Sequence, residues 1–187
     1  MVRSPWFDSS VVPFRLVFLM WAAFYAEFMW GWPLHYFGIR PRNPMGIIGI
    51  FSAPMLHGDL NHLISNTVPL LFLGTVLFFF YERIAGIIFF RAYFWTNLLV
   101  WLFGRQDSNH IGASGLVYGL AFFLIFFGIF RRDFTSILIS VVVITMYGGV
   151  MYGVLPTDPL ISWEAHLGGA LVGVYTAVEL SKKKKVS

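Results

Sequence analysis

The sequence predicts an all-α fold: a polytopic membrane protein in which six transmembrane helices form one domain over residues 1–187. Three observations carry that expectation. The 187-residue chain is 58% hydrophobic and 12% charged, against about 25% charged in an average soluble domain. Apolar runs of roughly 20 residues recur, each long enough to cross about 30 Å of hydrocarbon at about 1.5 Å per residue. The basic residues also segregate. With the N-terminus inside, the inner connections carry Arg3, Arg15, Arg83, Arg91, Arg131, Arg132 and Lys182 to Lys185, and the outer ones only Arg40, Arg42 and Arg105. Such a bias marks the cytoplasmic side, so both termini are expected there.

Composition narrows the function classes. Much of the net charge of +4 comes from the lysine run after an apolar helix, a cytoplasmic anchor and not a nucleic-acid signal. There is no cysteine, hence no disulfide framework and no thiolate metal site. A cleaved signal peptide is not expected, because Pro5, Asp8 and Pro13 follow Arg3 closely and the first apolar run outlasts a signal core.

The first span is expected over about 14–34, with Pro13 suited to a helix start. Glu27 lies near its outer end, within reach of water or a polar neighbour. Residues 35–59 form a Pro- and Gly-rich connection too broken to cross, in which Ile47, Ile48, Ile50 and Phe51 suggest a segment lying in the interface. The second span, about 60–81, follows His57-Gly-Asp59-Leu-Asn61-His62 and closes at Glu82 and Arg83. The third, about 84–103, carries Arg91, expected to snorkel to the inner end, and Asn97. A polar stretch from Gly104 to His110 leads to the fourth, about 113–130, which Arg131, Arg132 and Asp133 terminate. The fifth covers about 135–154, with Pro156, Asp158 and Pro159 in the next loop. The sixth runs from Trp163 to about 181, into the lysine run.

Six spans and an inner N-terminus put the starts of the second, fourth and sixth helices at the outer face. Their first turns carry the unusual polar residues: His62 and Asn66, then Ser114, then His166. Polar groups from three spans thus lie at a similar depth below one surface, and ionisable groups at such depth point to a site. Gly115-Leu-Val-Tyr-Gly119 and Gly169-Ala-Leu-Val-Gly173 are GxxxG patterns that let helix backbones approach closely. If the fourth and sixth helices pack through them, Ser114 and His166 meet, and a hydroxyl beside an imidazole is the minimum for an activated nucleophile.

Each residue also has a plainer reading. Ser114 among glycines is compatible with helix packing, and His166 with a satisfied interfacial histidine. His62 and Asn66, at i and i+4, either hydrogen-bond between helices or stabilise an oxyanion. Tyr118 is a core aromatic, or it packs on His166. Glu164 lies on a different helical face from His166, and Asp158 sits in a proline-bounded loop. A Ser–His dyad without a third member is therefore expected.

In order and spacing, His57-x4-His62-x3-Asn66, Gly112-Ala-Ser114-Gly115 with Tyr118, and Ala165-His166-Leu-Gly-Gly169 resemble the rhomboid family of intramembrane serine proteases, over about residues 35–178. The resemblance implies a six-helix, rhomboid-like bundle with a water-filled cavity opening outward. It implies Ser114 as nucleophile and His166 as general base and acid. It further implies that His62, Asn66 and the Ser114 backbone N–H hold the oxyanion, that Tyr118 stacks on His166, and that His57 orders the loop. The first loop would lie partly in the membrane, and the fifth helix and the loop after it would gate substrate access. The chain departs from many members at Ile39-Arg40-Pro41-Arg42, where they carry a Trp-Arg pair.

The expected activity is peptide-bond hydrolysis within or beside a membrane helix. Its partners are transmembrane protein substrates and the lipid bilayer, with no nucleic acid, no cofactor and no metal. Because a helical backbone in lipid is fully hydrogen-bonded, substrates are expected to carry helix-weakening residues near the cut. The alternative is an inactive rhomboid-like protein that binds membrane helices, and the presence of Ser114, His166, His62 and Asn66 together argues against it. A transporter has little support, since Glu27 and Arg91 lie at different depths. A metal hydrolase built on His57, His62, His110 and His166 lacks a carboxylate on a shared face. A bacterial inner membrane is the expected location.

Overall fold

The computed structural model describes residues 5–156 and 161–182. Of the residues named above, Arg3, Asp158, Pro159 and Lys183 to Lys185 lie outside the described set. Seven α-helices follow one another among the described residues: α1 (Pro5–Trp30), α2 (Gly49–Ser52), α3 (Leu60–Phe80), α4 (Glu82–Phe103), α5 (Ser114–Arg131), α6 (Phe134–Tyr147) and α7 (Trp163–Ser181). Helices α1, α3, α4 and α5 are long and apolar enough to cross a membrane. Helix α6 has 14 residues and runs on as a 3-10 turn over Gly148–Val154. Helix α7 has 19 residues and carries Glu164, His166 and Glu179 among its apolar positions.

Helix α1 begins ahead of the span expected from Phe14, and Pro13 sits inside it. Proline removes a backbone donor and normally breaks or kinks a helix. Here tertiary packing holds the helix across it. The Pro13 ring fills the space that Gly74 of α3 leaves open, and Trp6 stacks on Phe79 with ring centroids 3.7 Å apart.

Helix α5 is the centre of the molecule, with Gly115 to Ile125 buried in unbroken succession. It packs on α3, α4, α6 and α7. Its approach to α7 is limited only by backbone. A Cβ on Gly169 would overlap the Gly115 carbonyl, and one on Gly173 would overlap the Gly119 carbonyl. The two glycine stripes therefore face each other, which brings the N-terminal ends of α5 and α7 together.

Residues 35–55 are fastened to the C-terminal half of α4. The Asn97 side chain donates to the Ile50 carbonyl at 3.0 Å, and Trp101 Nε1 donates to the Asn43 carbonyl at 3.0 Å. The Tyr93 hydroxyl donates to the Phe51 carbonyl. Met45, Ile47, Ile48 and Phe51 are exposed, as an interfacial segment requires, whereas Ile50 is buried.

Two charged residues expected within spans find charged or titratable partners. Glu27 pairs with His35, so of water and a polar neighbour it is the neighbour that it reaches. The Arg91 guanidinium lies 2.6 Å from Glu179 in the last turn of α7, so an adjacent helix neutralises its charge.

Candidate active site

Gly112 sets the start of α5. Its φ of +107° is a backbone conformation that glycine tolerates and other residues rarely adopt. Its N–H donates to the Ala53 carbonyl at 2.8 Å, and a Cβ at this position would overlap the His62 ring. Ser114 is consequently the first residue of α5, where backbone N–H groups lack intrahelical acceptors.

His166 stands in the first turn of α7 and is 8% exposed. Its Nε2 lies 2.9 Å from Ser114 Oγ, and its Nδ1 lies 2.9 Å from the Gly153 carbonyl oxygen. A carbonyl can only accept, so Nδ1 carries the proton and Nε2 offers its lone pair to the Ser114 hydroxyl. That is the tautomer a general base requires. Tyr118, one turn below Ser114, stacks on the imidazole with centroids 4.0 Å apart and planes 5° from parallel.

The third position of a triad is thus held by a main-chain carbonyl. Gly153 can present it because a Cβ there would overlap the Tyr118 hydroxyl. Glu164, the nearest acidic residue in sequence, is committed elsewhere. Arg105 donates to it from Nε at 2.6 Å and from its backbone N–H at 3.2 Å.

A cavity of about 870 Å³ lies over the pair, and Ser114, His166, Tyr118, His62 and Asn66 all line it. All five residues singled out from the sequence therefore share one space. The Asn66 amide donates to the His62 carbonyl of its own helix at 2.8 Å, and the amide group retains a second donor. His57 is outside the cavity lining, edge-on to His62 with centroids 4.9 Å apart. Both of its ring nitrogens are buried, with no well-formed hydrogen bond to either among the described residues. Burial first, and then the neighbouring His62, lower its pKa to about 4 against the opposing pull of the Met55 backbone and Asp59. Among the described residues, no group of three or more His, Cys, Asp or Glu side chains is placed to hold a metal ion.

Sequence reasoning did not find Gly153, the Arg105–Glu164 pair or the contact between His110 and Ser162 at 2.6 Å. The first acts through a backbone atom. The other two join residues more than 50 positions apart in chains of ordinary loop composition.

A family profile for the Rhomboid domain matches residues 44–183. An uncharacterized protein of Mycobacterium tuberculosis is 35% identical over 199 residues, covering 98% of this chain and 80% of that protein. A second uncharacterized protein, from Mycobacterium leprae, is 36% identical over 164 residues, covering 79% and 62%. The RHOMBOID-like protein 4 of Arabidopsis thaliana is 31% identical over 131 residues, covering 66% of this chain and 32% of its own length.

Proposed function

The chain belongs to the rhomboid family of membrane proteins, and on that premise we propose that it is an intramembrane serine endopeptidase. The observation that carries this reading is the His166 ring, hydrogen-bonded at 2.9 Å to Ser114 on one side and to Gly153 on the other, at the wall of a cavity that His62 and Asn66 also line. In this reading residues 1–187 form one domain with six spans: α6 with its 3-10 extension and α7 join α1, α3, α4 and α5. Both termini are cytoplasmic, in keeping with the arginine and lysine bias, and the membrane is a bacterial inner membrane, in keeping with the mycobacterial relatives.

Ser114 Oγ attacks the carbonyl carbon of the scissile peptide while His166 Nε2 removes its proton. The imidazolium so formed is held by Gly153 at Nδ1 and faced by the Tyr118 ring, whose π surface favours a cation. The tetrahedral oxyanion is received by His62, Asn66 and the Ser114 backbone N–H. Collapse returns the proton from His166 to the leaving amine and leaves an acyl-enzyme on Ser114. Water from the cavity, deprotonated by His166, then attacks the ester and releases the second product.

The substrate is a transmembrane or membrane-adjacent segment. A helical backbone in lipid has its carbonyls hydrogen-bonded, so a segment weakened by glycine or proline near the cut exposes the scissile bond most readily. Cleavage of a reporter transmembrane segment in liposomes, compared between the wild type and Ser114→Ala, tests the assignment. Equal cleavage by the two removes Ser114 from the mechanism.

A further inference from the structure

One turn before each member of the Ser114–His166 pair stands a residue of the opposite kind: His110 precedes Ser114, and Ser162 precedes His166. These two also touch, with His110 Nδ1 2.6 Å from Ser162 Oγ. The same two chain segments are thus joined twice, by a serine–histidine contact and by its reversed copy. We propose that His110 and Ser162 form a positioning pair that sets the N-terminus of α7 against the N-terminus of α5, and through it the Ser114–His166 contact. The proposal rests on reading Ser114 and His166 as the reacting pair.

The backbone shows how the pair would act. The Ser162 carbonyl accepts from the N–H groups of Ala165 at 3.0 Å and His166 at 3.2 Å, so Ser162 begins the turn that carries the imidazole. His110 is fixed from the other side. Its N–H and carbonyl both pair with Ile39 at 2.9 Å, and Gly112 two residues on is tied to Ala53. The hydrogen bonds therefore close a ring from His110 through Ser162, His166 and Ser114 and back along the chain to His110. Sliding α7 past α5 has to break one of them. His110 is 4% exposed, and the 2.6 Å contact with Ser162 helps to orient its buried ring. Arg105 adds a second grip on the same turn through Glu164 and the Ile161 carbonyl.

A pair that only stabilises the fold changes the amount of active protein and not the turnover of each active site. A pair that sets geometry changes turnover, because small misplacements of reacting groups cost about 100-fold in rate. The test uses the full chain in liposomes with a reporter transmembrane substrate, with active sites counted by a fluorophosphonate probe. Ser162→Ala is expected to lower kcat per active site by about 10- to 100-fold, with KM and the thermal midpoint unchanged. Ser162→Thr, which keeps the hydroxyl, is expected to restore it. His110→Asn, which keeps a polar atom near Nδ1, is expected to exceed His110→Ala. Wild-type kcat per active site in Ser162→Ala overturns the pair's role, as does probe attachment to Ser162 in Ser114→Ala. Undiminished cleavage by Ser114→Ala instead overturns the underlying reading, so the two failures are told apart.

Discussion

The carbonyl oxygen of Gly153 stands 2.9 Å from Nδ1 of His166. This contact orients the imidazole without a carboxylate. A neutral acceptor fixes the tautomer as an acidic one does, but it adds less to the stability of the imidazolium. Parallel stacking of Tyr118 at 4.0 Å supplies the remaining constraint on the ring.

Gly153→Ala puts a methyl group where the Tyr118 hydroxyl lies. The turn has to shift and the carbonyl leaves Nδ1. Loss of this one aligned contact is expected to lower kcat at least about tenfold, with little change in the thermal midpoint because the turn lies outside the α5–α7 core. Reporter cleavage per active site measures it, and wild-type turnover would contradict the orienting role.

Tyr118 acts on His166 through its ring face. Tyr118→Phe keeps the stack and is expected to retain turnover within about threefold, whereas Tyr118→Ala removes a contact worth about 0.5–1.5 kcal/mol beyond area burial. A parallel loss in Tyr118→Phe would move the role from the ring to the hydroxyl.

The backbone contact between α5 and α7 leaves no room for a side chain at Gly169. Gly169→Val has to separate the helices, and overpacking of this kind costs about 1–3 kcal/mol. A lower unfolding midpoint in detergent is expected together with loss of Ser114 labelling. Retention of both would show that the helices do not meet at this point.

His57 links stability to acidity. Its pKa in the folded chain is lowered by burial to about 4, against about 6.5 for an ordinary imidazole. Between these values the unfolded chain takes up a proton that the folded chain refuses, so the contribution of neutral His57 is complete above about pH 6.5 and shrinks as pH falls toward 4. At about 1.4 kcal/mol per pH unit the loss reaches about 2 kcal/mol by pH 5. Unfolding midpoints in detergent at pH 7 and pH 5 should therefore differ more for the wild type than for His57→Phe. Equal differences would place the acid sensitivity elsewhere.

The parts of this arrangement that were legible in the sequence are those encoded by residue type at helical spacing. The glycines at 115, 119, 169 and 173 announced a close helix pair, and polar residues in the first turns of three helices announced a shared depth. Both are found. What stayed hidden depends on the backbone or on distant partners. The Gly153 carbonyl has no residue-type signature. The pairing of Arg91 with Glu179 joins helices whose neighbourhood the local pattern does not specify. Pro13 read as a helix start because local propensity was the only information available, and packing on Gly74 and stacking of Trp6 on Phe79 override it.

In the proposed function Ser114 and His166 break peptide bonds within the membrane. Purified wild type, Ser114→Ala and His166→Ala, reconstituted at equal folded amounts in liposomes with a reporter transmembrane segment, test it most directly by mass spectrometry of the products. Two complementary fragments are expected from the wild type, and at least about a thousandfold less from either variant. Fragments from Ser114→Ala at the wild-type rate would contradict it.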